Sequence, residues 1–145
     1  MTLMYNAFIS LISTLGFAVL FNIPRRHLLT ASVNGALGWV MYSLVLMSGG
    51  SVIPASFAGA VTVGLMGELL ANLFRKPATI FIIPGIIPFV PGYGIYYTMI
   101  SILEKNFADA VSKGSESFFI AVAIASGLIV SSTVGSFIRT RKQRA

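Results

Sequence analysis

An all-α fold, a polytopic membrane bundle of five transmembrane segments with a proline/glycine-broken fourth helix, is what this sequence predicts. Three observations carry that reading. Of 145 residues, 56% are hydrophobic and only 10% charged, far from the roughly 25% charged residues of an average soluble domain. The charges are gathered between long uncharged runs at 1–24, 28–67, 77–103 and 117–138. The third run places three prolines and three glycines between positions 84 and 94. A soluble domain needs polar residues to cover its outside, and this chain has too few. It reads as a single integral membrane domain, 1–145.

The first span is expected at 2–22. Its 24-residue run holds no charge, so the basic segment that opens a secretory signal peptide is missing and the span is expected to stay uncleaved. The run 28–67 exceeds one crossing of about 20 residues. Ser48-Gly49-Gly50-Ser51, followed by Pro54, marks a turn inside it, which gives spans at 28–47 and 54–74. The fourth is expected at 79–103 and the fifth at 117–138, with a charged loop at 104–116 between them and a basic tail at 139–145.

Orientation follows from lysine and arginine, which are enriched in cytoplasmic loops. Arg25 and Arg26 follow the first span, Arg75 and Lys76 the third, and Arg139, Arg141, Lys142 and Arg144 the fifth. These alternate connections hold eight of the ten basic residues. The N-terminus is expected outside and the C-terminus in the cytoplasm, with the basic tail read as a cluster that fixes topology.

The net charge of +6 does not point to nucleic acid, because the basic residues form no stripe interleaved with aromatics. There is no cysteine, which excludes disulfides and cysteine-bound metals. His27 is the only histidine and is read as a solvated residue of a basic turn. No nucleophile–base pair or metal-ligand spacing appears; the chain is expected to be no enzyme and to carry no cofactor or metal.

Lipid gives helices no hydrophobic reason to associate, so close approach through small residues matters. Ser56, Ala60 and Gly64 form such a row in the third span and continue into Glu68 and Asn72. Ala123, Gly127, Ser131 and Gly135 form another in the fifth, with Ser132 and Ser136 alongside. Ala31, Gly35 and Gly38 in the second span, and a polar row of Asn6, Ser10 and Thr14 in the first, complete the inward faces.

Two features carry chemistry. Glu68 is the only ionisable residue deep in a span, and an intramembrane carboxylate is a functional candidate by default. Its open roles are a proton carrier, a counter-charge for a cationic group, or a structural hydrogen bond to a neighbouring helix. The second feature is Pro84-Gly85-Ile86-Ile87-Pro88-Phe89-Val90-Pro91-Gly92-Tyr93-Gly94. Each proline lacks the N–H that would bond the carbonyl four residues back, which leaves Ile80, Pro84 and Ile87 as expected orphans. Gly92 and Gly94 offer backbone freedom. Broken backbone at membrane depth is tolerated only where protein buries it or it lines an aqueous cavity. It is also the best sequence pointer to a transporter's binding site. A half-helix starting near Pro91 is expected to present free N–H groups at Gly92, Tyr93 and Gly94 to a carboxylate. Tyr93, Tyr96 and Tyr97 share one face, either lining the path or sitting in an interfacial belt. The substrate or ion path is thus assigned to Glu68, Asn72, Pro84, Gly85, Pro88, Pro91, Gly92, Tyr93 and Gly94.

The pattern Pro77-x6-Pro84-x3-Pro88-x2-Pro91-Gly92, behind a glutamate-bearing third span and a basic turn, resembles the threonine/serine exporter family. The match is to its small-subunit branch, the YjjB-like proteins. The length and the early Phe21-Asn22-Ile23-Pro24 turn fit it too. The resemblance implies a bacterial inner-membrane subunit of a secondary exporter for small carboxylate-bearing metabolites, either threonine/serine-type amino acids or dicarboxylates such as succinate. It also implies a larger partner subunit, and hence a homo- or hetero-oligomer in the lipid bilayer. A non-transporting scaffold that stabilises a partner membrane protein is the alternative. No span contains lysine or arginine to pair a dicarboxylate, which tilts the reading towards amino acids.

Overall fold

The computed structural model describes the backbone of residues 2–143 and the side chains of residues 3–135. The tail residues Arg139, Arg141, Lys142 and Arg144, and Ser136 of the fifth-span row, lie outside the described side chains. Six helices and no strand occur among the described residues: α1 (Thr2–Leu20), α2 (Leu28–Met47), α3 (Val52–Phe74), α4 (Thr79–Ile86), α5 (Gly92–Leu103) and α6 (Phe107–Gln143). Short 3-10 turns at Arg25–His27 and Ile87–Phe89 precede α2 and separate α4 from α5. α1, α2, α3 and α6 are each long and apolar enough to cross a membrane, and α4 with α5 passes the same test as a pair bent by 48°.

Four helices end in the same way. The N–H of Ile23 returns to Ala18, Gly50 to Val45, Lys76 to Ala71 and Asn106 to Ser101, at 2.8–3.0 Å. Each closure passes through a left-handed residue, Asn22, Gly49, Arg75 or Lys105. The motif pairs carbonyls that a helix end leaves open, which matters most where water is scarce.

The last helix differs from expectation. The charged stretch 104–116 is not a loop, because α6 already begins at Phe107. The cause is local: Asn106 accepts the N–H of Asp109 at 3.3 Å, a side-chain cap for the first turn. Asp109 lies at the positive end of the helix dipole and pairs with Lys113 one turn on at 3.7 Å.

α3 is the central helix. Its row of small residues mates with the row on α6 in parallel register. A Cβ at Gly127 would come 3.1 Å from Ala60, one at Gly64 would lie 2.6 Å from Ser131 Cβ, and one at Gly135 would lie 2.7 Å from Glu68 Cγ. Both rows recur every four residues, so each glycine receives its opposite neighbour in turn. Gly64→Val is therefore expected to destabilise the bundle by about 1–3 kcal/mol through overpacking. Thermal unfolding in detergent checks this, and adding Ser131→Ala should recover part of the loss.

The opposite side of α3 packs on α2 and α4, both antiparallel to it. Gly38 faces Gly59, Gly67 faces Ile82, and Gly85 faces Val63. Since α3 and α6 run parallel, two crossings by them require one return crossing between them. α4 runs against α3, and α5 runs against α6 through Gly94–Ser117 and Thr98–Gly114 contacts. α4 and α5 thus travel in one direction through their bend, as one broken span rather than a re-entrant hairpin. The His27 ring lies 5.0 Å from Phe74, which brings the Arg25–Arg26 turn beside the Arg75–Lys76 turn. The parallel register carries the end of α6 to that same end of the bundle.

Candidate functional site

The fourth span is broken where the prolines stand. α4 continues helically through Pro84 to Ile86, the 3-10 turn takes Ile87–Phe89, and α5 resumes at Gly92. An aromatic clamp shelters the upstream side. Phe89 is buried between the backbones of Gly38 and Gly59, with its ring 5.7 Å from Trp39 and 5.8 Å from Tyr42. Trp39 and Tyr42 themselves stack at 4.8 Å. Both glycines are required here, because a Cβ at either would come within about 3 Å of the Phe89 ring.

Three details of the break differ from expectation. The carbonyl of Ile87 is not orphaned, since Val90 donates to it at 3.1 Å. The N–H of Gly92 is not free for a ligand, because it closes on the Val90 carbonyl at 2.7 Å. Neither Gly92 nor Gly94 adopts a positive φ. Gly94 serves close packing instead, since a Cβ there would run into the Ser117 hydroxyl, while Gly92 has open space beside it.

The residues assigned to the path fall into separate places. Pro84 is buried, and Gly85 is buried against Val63, Asn34 and Gly35. Pro88 borders a crevice facing α1, and Pro91 borders a groove facing α6. Tyr93 is 75% exposed; its ring lies tilted against Tyr97 at 4.3 Å, and Tyr96 meets Tyr97 edge-on at 5.4 Å. The tyrosines thus share a face, and Tyr93 and Tyr96 turn it away from the bundle. Glu68 and Asn72 line a cavity of about 270 Å³ with Leu65, Leu69, Val134 and Gly135. Glu68 is half-buried and Asn72 exposed. One helical face separates Glu68 from Gly67: Gly67 looks to α4, Glu68 to α6. Gly67 lies level with Ile82 and Gly59 level with Phe89, so the carboxylate sits roughly 13 Å along α3 from the break, in a separate cavity.

His27 is not solvated. It is 8% exposed, with its ring edge-on to Phe74 and to Phe81 at 5.0 and 5.6 Å. The 3-10 turn after Pro24 directs it inward, beneath the cluster of Ala31, Ala71 and Phe81.

Sequence reasoning passed over Asn34. It is 1% exposed, and its Nδ2 donates to the carbonyls of Val63 at 3.1 Å and Phe81 at 3.2 Å. One side chain therefore ties α2 to α3 and to α4 just before the break, a role suited to an amide with two donors. Its position between Ala31 and Gly35 on an otherwise small-residue face was the available signal.

Two openings flank the break. The larger, about 630 Å³, lies between α5 and α6 and includes Ile86, Val90, Pro91, Ile95 and Phe118 in its walls. Its hydroxyls are spent: Thr98 donates to Gly94 at 2.7 Å and Ser117 to Lys113 at 2.8 Å. Chemically it is an apolar groove. The smaller, about 210 Å³, is bounded by Asn6, Ile9, Ser10, Ser13, Trp39 and Pro88, and it is the polar one.

A bundle of crossing helices around one sheltered, broken span, with a polar crevice at the break and an acidic side chain within the third span, has the build of a polytopic membrane transporter. The chain belongs to the Threonine/Serine exporter family, ThrE, whose model matches residues 6–134. It is similar to an uncharacterised protein of Haemophilus influenzae, 30% identical over 131 residues. That match covers 88% of this chain and 44% of the relative, so the chain spans less than half the relative's length. No solved structure matches.

Proposed function

We propose that the chain is the small membrane subunit of a secondary exporter for small carboxylate-bearing metabolites, threonine/serine-type amino acids before dicarboxylates such as succinate. It works with a larger subunit in the bacterial inner membrane, N-terminus outside and C-terminus cytoplasmic. The observation that carries the reading is the interruption of the fourth span at Ile87–Pro91, packed by Phe89 into the bundle. Irregular backbone at that depth is characteristic of a solute path. Family membership supports export of threonine or serine. The partner is supported by the relative in which the matched region is under half of the chain. The orientation is supported by the basic turns gathered at one end. Glu68 and Asn72 are the path's acidic and amide lining on the α6 side, and Pro84, Gly85, Pro88, Pro91, Gly92, Tyr93 and Gly94 its broken-helix side.

The test is efflux from cells loaded with labelled threonine or labelled succinate, with this chain, its larger partner, or both. The two together are expected to raise threonine efflux about tenfold or more over either alone, the scale of a completed site. Background efflux of both solutes from the pair removes the proposal.

A further inference from the structure

We propose that the crevice bounded by Asn6, Ser10, Ser13, Trp39 and Pro88 is the subsite that holds the uncharged, hydroxyl-bearing end of the exported solute. This rests on the export reading above and locates its recognition element, which neither the proline run nor Glu68 supplies.

The crevice lies where polar groups are hardest to keep. Ser10 and Ser13 bracket the middle of α1 (Thr2–Leu20), Trp39 lies near the middle of α2 (Leu28–Met47), and Pro88 lies near the middle of the broken span from Thr79 to Leu103. A polar side chain at mid-membrane costs free energy unless it finds a partner or water. Several hydroxyls elsewhere in the bundle are absorbed by their own helices: those of Ser32, Ser56, Thr62 and Ser131 each donate to a carbonyl of the preceding turn at 2.8–2.9 Å. Thr14, buried against Gly35, keeps an unpaired hydroxyl, and the crevice gathers further polar groups that their own helices do not absorb. Ser10 reaches the Gly35 carbonyl only at a long 3.5 Å. Asn6, Ser13 and the Trp39 indole N–H have no hydrogen-bond partner among the described residues. All four side chains border one space.

That space holds about 210 Å³. At about 30 Å³ per liquid water it accommodates a cluster of some seven waters, or a solute the size of serine or threonine. A hydroxyl wants both a donor and an acceptor, and the lining offers an amide, two hydroxyls and an indole N–H. No charged side chain borders it, so a second carboxylate of a dicarboxylate finds no counter-ion there. The Trp39–Tyr42–Phe89 aromatic set links the crevice lining to the broken turn, so the subsite and the break share one wall.

The absence of cysteine makes a direct test available in the complete complex with the larger subunit. Ser13→Cys and Ser10→Cys place a unique thiol of this chain in the crevice with little change in size. Labelling is followed as a mass shift of this chain with a small, membrane-impermeant methanethiosulfonate. The crevice thiols are expected to react, and threonine is expected to slow that reaction severalfold, while succinate and 2-aminobutyrate, which lacks the hydroxyl, do not. Val33→Cys, on the outer face of α2, is expected to be indifferent to threonine. In the complex without introduced cysteines, Trp39→Phe and Asn6→Leu are expected to raise the KM for threonine efflux and to narrow its preference over 2-aminobutyrate about tenfold or more. The assignment is overturned if the wild-type complex exports threonine while the crevice thiols are inert, unprotected, or protected equally by succinate. If the wild-type complex exports succinate but neither threonine nor serine, the subsite assignment falls while the export reading stands; if it exports none of the three, the export reading itself fails.

Discussion

Replacing Pro88 and Pro91 together by alanine is expected to stop export while leaving the bundle at least as stable. Each proline withholds an N–H and crowds the carbonyl one turn back. In a helix interior proline is about 3 kcal/mol less favourable than alanine, so the double replacement lets α4 run on through the 3-10 turn at Ile87–Phe89 into α5. A continuous helix has no 48° bend, draws Phe89 out of its niche between Gly38 and Gly59, and closes the crevice wall at Pro88. Efflux is expected to fall by about two orders of magnitude, the scale of misplacing a binding site by an ångström or more. Pro84→Ala is the milder case: α4 is already helical at Pro84, so the break survives and efflux falls far less than in the double replacement. Equal loss from both replacements, or full efflux from the Pro88/Pro91 pair, contradicts the assignment. Efflux and thermal unfolding on the same preparations separate lost function from lost fold.

Glu68→Gln is expected to abolish efflux or uncouple it from pH. The side chain lies half-buried on α3, and its Cγ and carboxyl carbon rest against Gly135, the only residue type that leaves room for them there. Glutamine keeps that shape and removes the charge, so the substitution tests ionisation and not packing. A charge held at membrane depth is costly to retain, and threonine efflux is expected to drop by about tenfold or more when it carries the coupling proton or pairs with the solute's ammonium group. The measurement is efflux from pH 6 to pH 8 in wild type and variant at matched expression. An unchanged rate with an unchanged pH profile would leave Glu68 a structural residue. Gly135→Ala complements the test: it keeps the carboxylate and displaces it.

The parts of this molecule readable from sequence are those set by local periodicity. The small-residue rows on the third and fifth spans are visible as four-residue repeats, and their mating follows once the helices are brought side by side. The break was announced by its prolines, because no packing restores an N–H the residue lacks. What escaped depends on which face meets which. Asn34 was hidden in a row read only for its small neighbours; its value comes from two carbonyls on other helices, one of them 47 positions away. The crevice combines α1, α2 and the break, and nothing in a one-dimensional pattern aligns Ser13 with Trp39. His27 was misread because a basic turn was assumed to face water, whereas Pro24 turns the chain so that the ring enters and the arginines stay out. The early start of α6 was within reach: Asn106 three residues before Asp109 is a capping pattern, overlooked because charge there suggested a loop.

Three glycines on α3 leave it no room to turn about its own axis. Gly59 admits the Phe89 ring, Gly67 admits Ile82, and Gly64 admits Ser131 from the other flank. Rotating α3 by a fraction of a turn would drive these neighbours into its larger side chains, so it acts as a keyed shaft with stops on both sides. A motion that exposes the pathway first to one compartment and then to the other must therefore pivot around α3. The segment with the fewest packing partners for that swing is α5 beyond Pro91, which rests chiefly on α6.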